Sequence, residues 1–101
     1  MFYRVTTYEF PPERAGDIAA WVDTKTQEVR GIEGVIAVDV FNAAPGVGVI
    51  VASYENADRY EAASSRIATI LGELAQFLTG VPKTMSGVPF WTTRVDEPAA
   101  I

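Results

Sequence analysis

The order of hydrophobic patterns along the chain constrains the fold more than any single motif does. From the amino terminus, the sequence alternates as strand, helix, strand, strand, helix, strand. The first strand is predicted over Phe2 to Phe10, and it ends at Pro11 and Pro12, where proline favours the first turn of a helix. A chain of 101 residues has room for one such domain. We therefore predict a single domain over residues 1–95 and a flexible C-terminal tail over residues 96–101.

Two segments have the spacing of amphipathic helices. The first follows Pro12 and ends at Arg30, just before a glycine that suits a helix C-terminus. The second begins between Asn56 and Asp58 and runs to Leu78, with apolar side chains repeating at intervals of three and four residues. Each helix therefore presents one apolar face, and each must bury that face against a sheet.

The stretch APGVGVIVASYEN, residues 44–56, carries two glycines beside an apolar run. A phosphate-binding fingerprint needs its glycines after a strand and at the start of a helix. Here the glycines come before the apolar run, and Val51 occupies the position of the third glycine. The stretch is therefore predicted to be part of a hairpin, with a turn from Asn42 to Gly46 and a strand from Val47 to Tyr54.

The remaining segments complete the pattern. A second strand is predicted over Val35 to Phe41. The last strand is predicted over Val88 to Val95, whose letters VPFWTTRV are rich in β-branched and aromatic residues. The segment before it, Val81 to Gly87, carries a proline, a lysine and small residues and is predicted to be a loop.

This order predicts an α+β fold, a ferredoxin-like βαββαβ sandwich whose antiparallel sheet has four strands in the order 4-1-3-2. Right-handed crossovers place both helices on one face of that sheet. The other face stays uncovered within the chain, although neither side of the strands is as polar as a wetted surface. We therefore predict that two copies pair through their open sheet faces as a homodimer.

Composition excludes several classes of function. The chain contains no cysteine and no histidine, which removes disulfides, thiol chemistry, the commonest general base and the usual metal ligand. A net charge of −5 argues against nucleic acid and membrane surfaces as partners, because phosphates are bound by lysine and arginine. The longest apolar runs are too short to span a bilayer, and the first residues have a strand pattern rather than that of a signal peptide. We expect a cytoplasmic protein without a metal site.

Two charged residues, Arg4 and Asp39, fall in the middle of predicted strands. One interpretation is an ion pair, within or between subunits, with Arg4 reaching across the third strand towards Asp39. The other interpretation is a polar anchor for an anionic or phenolic ligand. Asp39, Glu55 and Tyr54 are then candidate proton carriers. Arg4 or Arg94 is a candidate stabiliser of an enolate or phenolate.

Aromatic side chains are candidates for the lining of a ligand pocket. They either complete the hydrophobic core or surround a ligand, and both interpretations stand at this point. The expected ligand is a small apolar or aromatic molecule. The candidates are Trp21, Tyr54, Tyr60, Phe90 and Trp91.

The order GIEGVIAVDVF, hairpin, GVIVASYEN and an acidic, alanine-rich second helix resembles the dimeric α/β-barrel superfamily, which includes the antibiotic-biosynthesis monooxygenases. The resemblance extends over residues 2–95 and implies ferredoxin-like subunits that pair sheet to sheet into a barrel. It also implies a cofactor-independent monooxygenase or isomerase acting on a small aromatic or polyketide-like molecule. Haem-degrading relatives use a histidine ligand that this chain lacks, so no cofactor is expected. The alternative is a non-catalytic homodimer that binds a small ligand or has a structural role.

Overall fold

The computed structural model describes residues 1–94. The tail predicted at 96–101 lies outside the described residues, as does residue 95 at the end of the predicted domain. Single 3-10 turns occur at Pro12–Arg14 and Ala75–Phe77. In chain order the other elements are β1 (Phe2–Glu9), α1 (Ala15–Asp23), α2 (Thr26–Arg30), β2 (Val35–Ala44), β3 (Val47–Tyr54), α3 (Ala57–Leu74) and β4 (Lys83–Gly87).

The strands form one antiparallel sheet of four strands in the order β2-β3-β1-β4, which confirms the predicted strand order. Arg4 pairs with Ala52 and Val5 pairs with Val51. Because side chains alternate between the faces of a sheet, Arg4 and Ala52 share one face, and Val5 and Val51 share the other. The helices cover the face that carries Arg4, which we call the covered face.

The first helical segment is broken, whereas the sequence predicted one continuous helix. α1 ends at Asp23, and α2 begins at Thr26. The hydroxyl of Thr24 donates to the carbonyl of Trp21 at 2.6 Å, and the hydroxyl of Thr26 donates to the carbonyl of Asp23 at 3.2 Å. Such bonds compete with the backbone pattern of a helix. The sheet is therefore covered by three helices rather than two, with Lys25 at the break.

The last strand lies earlier than predicted. β4 occupies Lys83–Gly87, in the segment predicted to be a loop, and residues 88–94 form no strand. Tyr3 pairs with Gly87, so β1 is almost at its end when the chain passes Gly87. Pro89 follows at once and has no N–H to donate to a sheet. The predicted strand over VPFWTTRV is therefore wrong, because its aromatic and β-branched residues meet no partner strand within residues 1–94.

The hairpin between β2 and β3 turns through Pro45 and Gly46, in a tighter turn than predicted. Gly46 has a φ of +79°, which fits the second central position of a type II turn after a proline. Gly48 has another role: the Tyr8 ring lies against it, and a Cβ at this position would collide with that ring. Both glycines belong to the hairpin, as predicted, and a strand rather than a helix follows them.

Two hydrophobic clusters fill the space between the covered face and the helices. Side chains of α3 contribute to both, and Trp21, Val38 and Leu71 contact both. The side chain of Asn56 caps α3 by accepting from the amide of Arg59 at 2.9 Å. The buried members of the two clusters are Tyr8, Phe10, Ile18, Ile50, Leu74 and Phe77 in the first, and Ile32, Ala52, Tyr54, Ala63, Ile67 and Ile70 in the second.

The opposite side of the sheet, which carries Val5, Asp39, Phe41, Val51 and Met85, is here called the open face. Nothing in residues 1–94 covers its large apolar groups well: Phe41 is 52% exposed and Met85 is 66% exposed. The middle strands are better protected by their neighbours, and Val5 and Val51 are half-buried. The open face is therefore a largely apolar surface that also carries two acidic residues, Asp39 and Glu9.

Candidate functional site

Arg4 is the most deeply buried charged side chain that β1 contributes to the covered face. It is only 4% exposed, because α3 and its own sheet neighbours surround it. Its Nε donates to the hydroxyl of Tyr54 at 3.2 Å, and its Nη1 donates to Oγ1 of Thr6 at 3.2 Å. The guanidinium is thus held by two neutral oxygens on neighbouring positions of the sheet.

Arg4 has no ion-pair partner among residues 1–94, where the ion pairs belong to other residues. Burying a charge is costly unless a counter-ion accompanies it, so buried arginines usually meet a carboxylate. Asp39 is not the counter-ion of Arg4. It pairs with Val51 while Arg4 pairs with Ala52, so the two side chains point to opposite faces of the sheet. The predicted ion pair within the chain is therefore wrong.

Aromatic rings stand beside this guanidinium. Tyr54 is fully buried, and its ring meets the edge of the Tyr60 ring with centroids 5.3 Å apart. Phe2 lies against the other side of Tyr60 at 4.6 Å. These contacts hold the Tyr54 hydroxyl next to Arg4, because an edge-to-face ring pair has a preferred geometry.

Thr84 joins the site from β4, although the sequence predicted a loop there. Its Oγ1 lies 3.0 Å from Oγ1 of Thr6, which is fully buried. Sequence reasoning missed both threonines. The even spacing of Arg4, Thr6 and Tyr8 along one strand was the available signal for Thr6, whereas nothing in the letters KTMSG indicated that Thr84 would meet it.

Two cavities flank Arg4 on the covered face. The first, the tyrosine cavity, has a volume of about 150 Å³ and lies between β1, α3 and β4. The second, the inner cavity, has a volume of about 70 Å³ and lies under α1, α2 and α3. Arg4, Ile67 and Leu71 line both, and no aspartate or glutamate lines either one. The other residues of the tyrosine cavity are Tyr54, Tyr60, Ser64, Ala68 and Thr84.

The rim of the inner cavity carries a second cation, Lys25. Its Nζ donates to a carboxylate oxygen of Glu73 on α3 at 2.7 Å, and lies 5.7 Å from the centre of the Trp21 ring. The hydrogen bond to Glu73 raises the pKa of Lys25 above its ordinary value. Tyr8, deeper in the same cavity, has a pKa raised by burial. Lys25 therefore stays protonated and Tyr8 stays neutral at neutral pH.

The predicted site residues fall into two groups. Four of them, Arg4, Trp21, Tyr54 and Tyr60, line the cavities of the covered face. The others lie elsewhere: Asp39 is on the open face, and Phe90 and Trp91 are 78% and 69% exposed after β4. Arg94 donates from Nη1 to the Tyr3 hydroxyl at 2.6 Å, on the open side of β1. One compact site containing all eight residues does not form within this chain, and their roles stay predictions.

Larger grooves lie along the exposed edge of β2. One of about 220 Å³ separates β2 from α1, and another of about 430 Å³ separates it from α2. None of the residues predicted from the sequence as site residues lines either groove. Within residues 1–94 there is also no cluster of three or more acidic, histidine or cysteine side chains suited to a metal ion. The described helices include none that could cross a membrane.

Comparison with protein-family models gives no match, and comparison with curated protein sequences gives none either. Solved structures do match in fold. A monooxygenase from the gene ActVA-Orf6 of Streptomyces coelicolor, solved with the ligand nanaomycin D, is 22% identical, with a TM-score of 0.75 over 92% of this chain and 90% of its own. A candidate antibiotic biosynthesis monooxygenase from Deinococcus radiodurans is 14% identical, with a TM-score of 0.76 over 94% and 98%.

A third structure, Rv0793 from Mycobacterium tuberculosis, is 14% identical with a TM-score of 0.73, covering 92% of this chain and 98% of its own. At these identities the likeness concerns the path of the backbone and not the chemistry of side chains. It confirms the predicted ferredoxin-like architecture over nearly the whole chain. The protein therefore has the α+β, ferredoxin-like fold of these antibiotic biosynthesis monooxygenase-like structures.

Proposed function

We propose that the protein is a cofactor-independent monooxygenase that acts, as a homodimer, on a small aromatic or polyketide-like molecule. The observation that carries this proposal is Arg4, a buried cation that lines two cavities without a carboxylate partner in residues 1–94. A buried guanidinium of this kind favours a ligand that brings its own negative oxygen. Phenols and enols supply such an oxygen when they lose a proton.

An ionised phenol or enol can reduce O2 itself, so the protein needs to supply position and charge stabilisation rather than a redox group. In the proposed reaction a ring C–H para to the hydroxyl becomes a carbonyl. One atom of O2 enters the product, and the other leaves as water with the ring hydrogen and the hydroxyl hydrogen. The substrate loses four electrons, and O2 gains four. Arg4 stabilises the anion, and Tyr54 holds a proton beside it.

The cavity volumes limit the substrate. Cavities of about 150 and 70 Å³ are below the roughly 300 Å³ at which ligand pockets for drug-sized molecules begin. A compound with one ring or a short chain suits this space better than a fused polycyclic one. Tyr60 and Trp21 offer ring faces for packing against it. The naming of the Streptomyces and Deinococcus structures as monooxygenases supports the reaction type by analogy of fold.

The homodimer is proposed from the open face. Phe41 and Met85 leave apolar area in water, and burying such area against an identical sheet around a twofold axis stabilises both copies. In this dimer Asp39, Arg94, Phe90 and Trp91 approach the interface rather than the cavities of their own chain. We also propose a cytoplasmic location, which fits a chain without cysteine.

The test is oxygen uptake by the purified protein with a panel of one-ring phenols and short 1,3-diketones, without added cofactor. We expect one labelled atom from ¹⁸O2 in the product, and a loss of at least tenfold in kcat/KM for Arg4→Met. Arg66→Met, which removes an exposed arginine of α3, is the matched control and keeps full activity. Absence of uptake with every compound, or full activity of Arg4→Met, contradicts the proposal.

A second candidate function is a non-catalytic homodimer that binds a small ligand or has a structural role. The small volume of both cavities favours it, because a filled core has little room for a reaction. Saturable binding of a phenol without any oxygen uptake supports this alternative. Product formation with oxygen incorporation excludes it.

A further inference from the structure

The direction of the hydrogen bonds around Arg4 is fixed by the chemistry of its partners. A guanidinium has donors and no acceptor, so the hydroxyl oxygens of Tyr54 and Thr6 must both accept from it. Each hydroxyl still has one proton to donate elsewhere. In both residues that proton sits on a side chain with no exposure to solvent.

The proton of Thr6 has one acceptor within reach among residues 1–94, which is Oγ1 of Thr84 at 3.0 Å. If Thr84 were the donor instead, the Thr6 proton would be buried without an acceptor, at a cost comparable to a lost hydrogen bond. Thr6 therefore donates to Thr84. The hydroxyl proton of Thr84 is then directed away from Thr6, and Thr84 lines the tyrosine cavity.

The proton of Tyr54 is in a similar position. Its oxygen accepts from Arg4, and none of the hydrogen bonds among residues 1–94 uses its proton. Because Tyr54 also lines the tyrosine cavity, that cavity receives donors from Arg4, Tyr54 and Thr84 and no carboxylate. The cavity therefore offers a cation and hydroxyl protons to an acceptor, and holds no carboxylate that would repel an anion.

We infer that the tyrosine cavity, with a buried cation and no carboxylate, binds the ionised oxygen of a small phenol or enol, with Thr84 as a ligand-binding residue and Thr6 as a positioning residue. The inference rests on the proposed function for the choice of ligand class, and deepens it by stating which protonation state is bound. A phenolate accepts charge-assisted hydrogen bonds and is attracted by the guanidinium, whereas a neutral phenol accepts weaker hydrogen bonds and gains less from the cation. The site therefore lowers the pKa of its ligand.

4-Nitrophenol is a suitable probe, because its phenolate is yellow and its phenol is not. We expect the wild-type protein to bind the phenolate at least tenfold more tightly than the phenol, which appears as yellow colour at a pH where the free probe is mostly colourless. 4-Nitroanisole has the same shape without an acidic proton, and we expect it to bind at least tenfold more weakly than the phenolate.

Single substitutions test the donors Tyr54 and Thr84 and the positioning residue Thr6. Hydrogen bonds to a charged group are worth about tenfold or more in affinity, so Thr84→Val and Tyr54→Phe are each expected to weaken phenolate binding by about that factor. Thr6→Val is expected to raise the pKa of the bound probe towards its free value, and Thr6→Ser, which keeps the hydroxyl, to restore it. Thr69→Val on α3 is the matched control and leaves both readouts unchanged.

The outcomes are distinguishable from those of the oxygen-uptake experiment, because binding of the probe needs no turnover. Equal affinity for phenol and phenolate, no binding by the wild-type protein, or an unchanged affinity in Thr84→Val overturns the proposed phenolate site. A coloured complex without oxygen uptake for any substrate leaves the site in place and overturns the monooxygenase proposal. Oxygen uptake with no preference for the phenolate supports the monooxygenase proposal and overturns the phenolate site.

Discussion

The two faces of the sheet differ in what they bury and what they expose. The covered face encloses a charged group and a hydroxyl, Arg4 and Thr6, among apolar helices. The open face leaves apolar side chains such as Phe41 and Met85 in contact with water. Stability of the single chain alone would favour the opposite arrangement, with the charged group exposed and the apolar side chains buried. The contrast indicates that each face is adapted to a binding partner. In our proposals the partner is an anionic ligand on the covered face and another copy of the chain on the open face.

The largest effect on stability is expected from truncating a core residue of the covered face. Ile50→Ala should lower the free energy of unfolding by about 2–5 kcal/mol, because it removes buried methyl groups and leaves a cavity. Urea denaturation measures the loss. The control is Val49→Ala, at the adjacent residue of β3, whose side chain lies on the open face. It should lower the free energy of unfolding clearly less than Ile50→Ala does. Equal losses would mean that the two faces are equally buried in solution.

The second effect is a gain in stability on removing the buried charge of Arg4. Arg4→Met removes a buried charge that has no carboxylate in residues 1–94, and should raise the free energy of unfolding by about 1 kcal/mol while ligand binding is lost. Arg66→Met should change it by less than about 0.5 kcal/mol. Destabilisation of Arg4→Met by more than the control would assign Arg4 to the structure rather than to a ligand.

The third prediction concerns association. Phe41→Ser should change the stability of the monomer by less than about 0.5 kcal/mol, because Phe41 is half exposed in the single chain, yet it should abolish the dimer. Light scattering gives the mass. The unfolding midpoint of the wild-type protein should rise with protein concentration, and that of the variant should not. Ala62→Ser, which alters an exposed residue of α3 on the other side of the sheet, should remain dimeric.

The smallest effect belongs to Lys25, at the edge of the helical layer. Its pKa is raised in the folded chain, chiefly by the hydrogen bond to Glu73. The resulting stability is fully present below the unfolded pKa, about 10.4, and is lost as the pH rises through the folded pKa. Unfolding curves of wild type and Lys25→Met should therefore differ slightly at pH 7 and converge in strongly alkaline buffer. A difference that widens above pH 10 would refute this; Lys83→Met, at an exposed lysine outside this contact, is the control.

The architecture could be predicted because it follows from local patterns. Proline and glycine mark the ends of β1 and the hairpin, and helical spacing marks α3. The break at Thr24 and Thr26 was missed because it depends on two side-chain bonds to carbonyls, which compete with a pattern that still looks helical. The position of β4 was missed because register decides it: beyond Tyr3, the last residue of β1 that pairs with β4, only Phe2 is left, too little to pair with a strand that begins at Val88.

The site was predicted in part. Arg4, Tyr54 and Tyr60 were identified as unusual residues, and the structure brings them together. Their relation to Asp39 could not be derived, since one position of register decides whether two charges share a face. Thr6 and Thr84 were missed, because a threonine in a strand has a common structural role and gains a different one only when a distant strand supplies its partner.

The site depends on the weakest part of the sheet. Thr84 lies on β4, an edge strand of five residues, all of them exposed, that pairs with β1 alone. Edge strands open more often than central ones, by local fluctuations that leave the rest of the domain folded. Each opening separates Thr84 from Thr6 without disturbing Arg4 or Tyr54. Hydrogen exchange of the β4 amides therefore reports how long the complete set of donors persists, and this lifetime is shorter than that of the fold.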